Sequence, residues 1–156
     1  MRQKLLIAFD DSENAMRAVE YIADSLSTGN QITLLHIIAD TAALCEMNSP
    51  ELTSYFLSQQ STFCALEDRK VKLVEDAMKK AKNLLFKAGF DEKDVICKVE
   101  SKKKGVARDI VNEARAGYDL IVLGRRGVSG IQEFFFGSVS HKVLNAAKDI
   151  SVLVVN

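Results

Sequence analysis

Between Gly124 and Gly137 the chain reads GRRGVSGIQEFFFG, so half of its eight glycines fall within fourteen residues. The apolar run Leu120 to Leu123 precedes this stretch, and Ser138, Ser140 and His141 open a helical pattern behind it. Glycine reaches backbone conformations closed to other residues and lets a ligand approach the main chain. The first turn of a helix carries N–H groups with no partner inside the helix. A glycine-rich connection between a buried strand and a helix N-terminus therefore suits an anion, and two serine hydroxyls in that first turn suit a phosphate. The chemistry to expect is the holding of a nucleotide's phosphates.

Other residue types capable of chemistry are sparse. Asp10, Asp11 and Ser12 follow the first apolar run; they can cap a helix, and Asp10 can also accept hydrogen bonds from a ribose or an adenine. Arg125 and Arg126 suit a solvated loop, or one of them can face a phosphate through its guanidinium. His36 lies inside an apolar run, which favours a hydrogen-bonded structural histidine over a base. His141 follows the serines, but its spacing builds no nucleophile-base-acid constellation. Lys102 to Lys104 read as a solvated turn that can add to an anion field, and Phe134 to Phe136 as loop aromatics that pack on the core or cover a ligand.

These residues must be positioned by the elements around them. Leu5 to Phe9, Ile32 to Ile38, Leu120 to Leu123 and Ser151 to Val155 are near-continuous apolar runs, the mark of strands buried on both faces. Val95, Cys97 and Val99 alternate with more polar neighbours, which predicts a strand nearer an edge. Between them, Ala15, Val19, Ile22 and Leu26, then Val74 to Ala88, then Val106 to Ala114, then Val139 to Ala147 repeat at helical spacing. The segment 41–67 is the least regular. Ser49-Pro50-Glu51 within it reads as a helix start, and part of it is expected to be a mobile flap. Strand and helix alternate five times. The predicted fold is α/β, a five-stranded mainly parallel sheet, doubly wound in the Rossmann-like manner with helices on both faces. Ligands in such sheets bind beyond the strands' carboxyl ends where strand order reverses, so the loops at Asp10 and at Gly124 to Gly137 face each other if strands one and four are neighbours.

Composition narrows the function. One proline and no low-complexity tract predict a single domain over residues 1–156, and it is the glycine loop that makes it a nucleotide-binding one. Lys plus Arg and Asp plus Glu are equal at 21 each, so no global basic field attracts nucleic acid, and any anion is held by a local site. Five uninterrupted apolar residues near the N-terminus are too few for a signal peptide or a membrane span, which makes a cytoplasmic location the default. Cys45, Cys64 and Cys97 are odd in number and lack C-x-x-C spacing, so they are expected to be reduced and mostly packing residues.

Two common nucleotide fingerprints are absent. The first strand is followed by Asp-Asp-Ser rather than G-x-G-x-x-G, and no glycine of the loop precedes Lys-Ser or Lys-Thr. What stands instead is Gly124-x2-Gly127-x9-Gly137-Ser138-Val139-Ser140 between the strands DLIVL and SVLVV. This spacing, with LLIAFDDSENA at the start and TLLHII as the second strand, resembles the ATP-binding class of universal stress proteins over almost the whole chain. The likeness implies ATP, or another adenine nucleotide, with Mg²⁺ bound through the phosphates where it is present. It implies a base near Ala8, Phe9, Asp10 and Ile37, a ribose and phosphate wall of Leu123, Gly124, Arg126 and Gly127, and phosphates on Gly137, Ser138, Val139 and Ser140. Asp11 departs from the family pattern and adds negative charge there.

The function expected is a nucleotide-binding regulatory or stress-response protein acting on an unknown protein partner. No residue pair resembles an activated nucleophile, so an enzyme reading reduces to slow Mg-dependent ATP hydrolysis. A phospho-receiver reading needs an aspartate at the end of the third strand and a lysine after the fifth, where this chain has Glu100-Ser101 and ends at Asn156. The apolar strand 151–155 would leave an exposed pairing edge, and both that edge and the family resemblance predict a homodimer formed through it.

Overall fold

A computed structural model describes residues 1–125 and 137–156. Five strands, β1 (Lys4–Ala8), β2 (Gln31–Ile38), β3 (Val95–Ser101), β4 (Leu120–Gly124) and β5 (Ser151–Val155), form one sheet of order β3-β2-β1-β4-β5. All four pairings are parallel. Parallel neighbours need a crossover each, and helices supply them: α1 (Glu13–Ser25), α3 (Ser54–Lys87), α4 (Val106–Ala114) and α5 (Ser138–Ala146), with a one-turn α2 (Ala42–Cys45) between β2 and α3.

Side chains of the central strands point alternately to two cores. Leu5, Ile7, Ile32, Leu34 and Val122 meet Ala18, Val19 and Ile22 of α1 and Val74, Met78, Ala81 and Leu85 of α3 on one face. Leu6, Leu35, Ile37, Ile121 and Leu123 meet Ala107, Ile110, Val111 and Ala114 of α4 and Val143 of α5 on the other. This two-sided burial is why these strands read as unbroken apolar runs. The sequence's expectation of a doubly wound parallel sheet holds.

Two local expectations change, and one holds with a difference in detail. Helix α3 begins at Ser54, with the Thr53 hydroxyl accepting the Phe56 N–H, and not at Ser49-Pro50-Glu51, which forms a turn. The expected flap is thus in large part the first half of a 34-residue helix, about 51 Å long at 1.5 Å per residue. Its buried residues are confined to 74–85, so the first half gains no amphipathic stripe from the sheet and carries no clear period. β3 is an edge strand, as its alternation predicts; Val99 and Ile96 are both exposed, and the partly exposed Lys98 pairs with Glu113 of α4 and with Glu100. Finally, Cys45 and Cys64 form a disulfide, which overturns the expectation of reduced cysteines for these two, while Cys97 is a free thiol as expected but exposed on the edge strand and not packed in the core. The bond joins residues that only the tertiary approach of α2 to α3 brings to a Cα separation of 5.9 Å.

Candidate functional site

Strand order reverses between β1 and β4, because the chain steps outward from β1 to β2 and β3 on one side and begins again at β4 on the other. Connections leaving these two strands turn to opposite faces and open a crevice at their carboxyl ends. A cavity of about 460 Å³ lies there, within the range of small-molecule sites. Ala8, Phe9, Asp10, Ile37, Leu123, Gly124, Gly137, Ser138, Val139 and Ser140 all line it. Arg126 and Gly127 lie outside the described residues, as do Gly130 and Phe134 to Phe136.

The wall from β1 is fixed by local hydrogen bonds. Asp10 accepts the Ser12 N–H through Oδ1 at 2.9 Å, and the Ser12 hydroxyl in turn accepts the Ala15 N–H at 3.1 Å, capping α1. Asp10 therefore holds the turn as well as facing the cavity. The His36 imidazole lies with Nδ1 2.9 Å from the Phe9 carbonyl oxygen, so a proton on Nδ1 ties the end of β2 to the β1 exit. That is the structural histidine expected from its apolar setting.

The opposite wall is the start of α5. Gly137 donates its N–H to the Arg125 carbonyl at 2.9 Å, and the first bond of the helix runs from the His141 N–H to the Gly137 carbonyl at 3.0 Å. Gly137 has no side chain to cap the N–H groups of Ser138, Val139 and Ser140, and these lie at the positive end of the helix dipole beside the cavity. Ser140 is buried, and its hydroxyl donates to the Gly124 carbonyl at 2.9 Å. Gly124 in turn lies so close to α1 that a Cβ built on it would meet the Asn14 backbone at 2.7 Å. The two walls are thus locked to each other through β4.

A third wall escaped the sequence reading. Glu67, Lys70, Val71 and Val74 of α3 line the cavity, with Lys70 Nζ 2.9 Å from Glu67 Oε1. Residues 51–88 contain no glycine, and the single proline precedes them, so uninterrupted helix propensity was the available signal. Arg125, Lys103, Lys104 and His141 are not among the residues that line the cavity. The Arg125 guanidinium donates to Asn156 Oδ1 at 3.0 Å, and Lys103 and Lys104 use their backbone N–H groups to bind Asp109. Those N–H groups hold the Asp109 carboxyl below its ordinary range. His141 faces Asn145 on the outer side of α5.

What this arrangement can do follows from its charges. Asp10, Asp11 and Glu67 face the cavity beside Lys70, so the described walls carry no strongly cationic field. Among the described residues, what the walls offer an anion is the first-turn N–H groups of α5, which carry no side-chain cap. Among the described residues no cluster of three His, Cys, Asp or Glu side chains is arranged for a metal ion. None of the described helices is long and apolar enough to cross a membrane.

The model of the universal stress protein family matches residues 1–156. The chain belongs to the universal stress protein family. It is 29% identical to universal stress protein YxiE of Bacillus subtilis over 150 residues, which cover 92% of each chain. Among solved structures, the universal stress protein UspA from Lactobacillus plantarum superposes with a TM-score of 0.71 at 20% identity, covering 100% of this chain and 99% of that one. A universal stress protein in complex with cAMP gives 0.62 at 18% identity, covering 99% and 97%, and a family member from Arabidopsis thaliana with AMP bound gives 0.54 at 20%, covering 98% and 90%. At these identities the structural likenesses establish the universal stress protein fold, here as an all-parallel α/β sheet.

Proposed function

We propose that this universal stress protein is a cytoplasmic regulatory protein of the stress response, a single domain over residues 1–156 that holds an adenine nucleotide, ATP by preference, in the cavity between β1 and β4. The observation that carries the reading is the convergence of ten residues from four elements, β1, β2, β4 and α5, and their loops on one crevice, with N–H groups of α5 that no side chain among the described residues caps on one side and Asp10 on the other. In this reading the base lies between Ala8, Phe9, Asp10 and Ile37. The ribose and phosphates run along Leu123, Gly124, Arg126 and Gly127 to Gly137, Ser138, Val139 and Ser140. The AMP and cAMP complexes of other family members support an adenine ligand. Mg²⁺ would arrive with the phosphates, since the described residues offer it no ligand cluster of their own.

Occupancy of the cavity, not turnover, is the proposed output, sensed by a protein partner. A homodimer through the outer edge of β5 completes the assembly, because that strand has no neighbour beyond it among the described residues and carries half-buried Val152, Leu153 and Val154. The test is to denature the purified protein, identify released nucleotide by mass spectrometry, and titrate the emptied protein with ATP by calorimetry. Release or saturable binding of an adenine nucleotide is expected. Neither release nor binding at millimolar ATP would overturn the reading.

A further inference from the structure

The Cys45–Cys64 disulfide takes no part in the proposed nucleotide contacts, yet it sits between two pieces of the cavity wall. Ile37, Ile38 and Ala39 line the cavity at the exit of β2, and Cys45 follows on α2. Cys64 stands one helical turn before Glu67 on α3, the first of the four α3 residues that line the same cavity. The bond therefore closes a bridge from one wall to the next.

Little else holds that bridge. Helix α2 has four residues, none of them buried, and the following stretch to Thr53 is largely exposed. Among the described residues, besides the disulfide and the Thr53 cap at the start of α3, the hydrogen bonds from α3 to this segment come from a single side chain, Gln60 Nε2 donating to the carbonyls of Leu44 at 2.6 Å and Met47 at 3.0 Å. Both cysteines are half-buried and stand outside the two apolar cores. A segment that lacks apolar burial is ordered or released by small changes in covalent constraint.

We propose that Cys45–Cys64 is a reversible thiol–disulfide modification site that sets the order, and hence the nucleotide affinity, of the α2–α3 side of the cavity. The proposal rests on the adenine-nucleotide reading of that cavity. The partner class is a dithiol reductant and its disulfide form. A reductant thiolate attacks one cysteine Sγ, the S–S bond breaks, and the other cysteine leaves as a thiolate and takes a proton. The reductant's second thiolate then displaces the first cysteine from the mixed disulfide, and it too is protonated. The protein gains two electrons and two protons, and the reductant departs oxidised. The reverse exchange closes the clip. With the clip closed, the exit of β2 and the turn carrying Glu67 and Lys70 are pre-organised. With it open, a ligand must order them on binding, which weakens its affinity.

The experiment uses the full chain, oxidised with glutathione disulfide or reduced with dithiothreitol, with intact mass recording the thiol state. ATP affinity and amide hydrogen exchange are measured in each state for wild type, Cys45→Ser and Cys97→Ser. Reduction is expected to weaken ATP binding roughly tenfold and to speed exchange across residues 40–53. Cys45→Ser should stay at the weak value in both states, and Cys97→Ser should respond like wild type. Equal ATP affinity in the two verified thiol states overturns the proposal. If neither state binds ATP, the nucleotide reading fails, and exchange decides the clip by itself: faster exchange on reduction supports it, and unchanged exchange overturns it.

Discussion

A Cβ placed on Gly124 would lie 2.7 Å from the backbone carbon and oxygen of Asn14, which puts the end of β4 in direct backbone contact with the first turn of α1. That approach sets the width of the crevice between the two walls. Gly124→Ala should push them apart, cost about 1–3 kcal/mol of stability as an overpacking change, and weaken nucleotide binding. Urea denaturation and an ATP titration check both. A variant with wild-type stability would show that α1 yields without strain.

The hydroxyl of Ser140 is the other lock, donating to the Gly124 carbonyl at 2.9 Å from a buried position. Ser140→Ala leaves that carbonyl without this donor and should cost about 1–3 kcal/mol. The midpoint of chemical unfolding measures it, and no change would indicate that water replaces the bond.

Asp109 fixes the turn after β3 by accepting the N–H groups of Lys103 at 2.7 Å and Lys104 at 3.1 Å. These bonds, that from Lys103 foremost, lower its pKa from the ordinary 3.8. A depressed folded-state pKa means that the unfolded chain takes up the proton first. The stabilisation is therefore fully present above 3.8 and is lost as pH falls through the lower folded value. Asp109→Asn should lower the melting temperature at neutral pH and flatten the acid limb of the stability profile below pH 4. Parallel acid limbs for the two proteins would refute this assignment.

Hydrolysis should be slow. Among the described residues lining the cavity, the imidazole is held at the Phe9 carbonyl, and Asp10 is engaged by the Ser12 N–H. No serine or cysteine there is paired with a base, so phosphate release from clean protein should fall far below the roughly 10 s⁻¹ typical of enzymes. Multiple turnovers per second would restore the ATPase reading.

Light scattering tests the assembly. The chain mass is 17.2 kDa, and a species of twice that mass at micromolar concentration is expected from pairing at β5. A monomer would remove the homodimer from the proposal.

The sequence by itself determined the sheet and its two faces. Unbroken apolar runs such as Leu5 to Phe9 and Ile32 to Ile38 can be satisfied only by burial on both sides, and helical spacing between them leaves few other topologies. It also picked out Asp10 and the Gly124 to Ser140 connection, because capping residues and clustered glycines act through the local backbone. Only the tertiary structure decided that Gly124 must clear Asn14, that α3 supplies a third wall through Glu67 and Lys70, and that Cys45 meets Cys64. These relationships join residues far apart in the chain or on a helix surface with no sheet beneath it. Hydrophobic periodicity records what an element buries, and it is silent about a helix that reaches past the sheet to face a cavity.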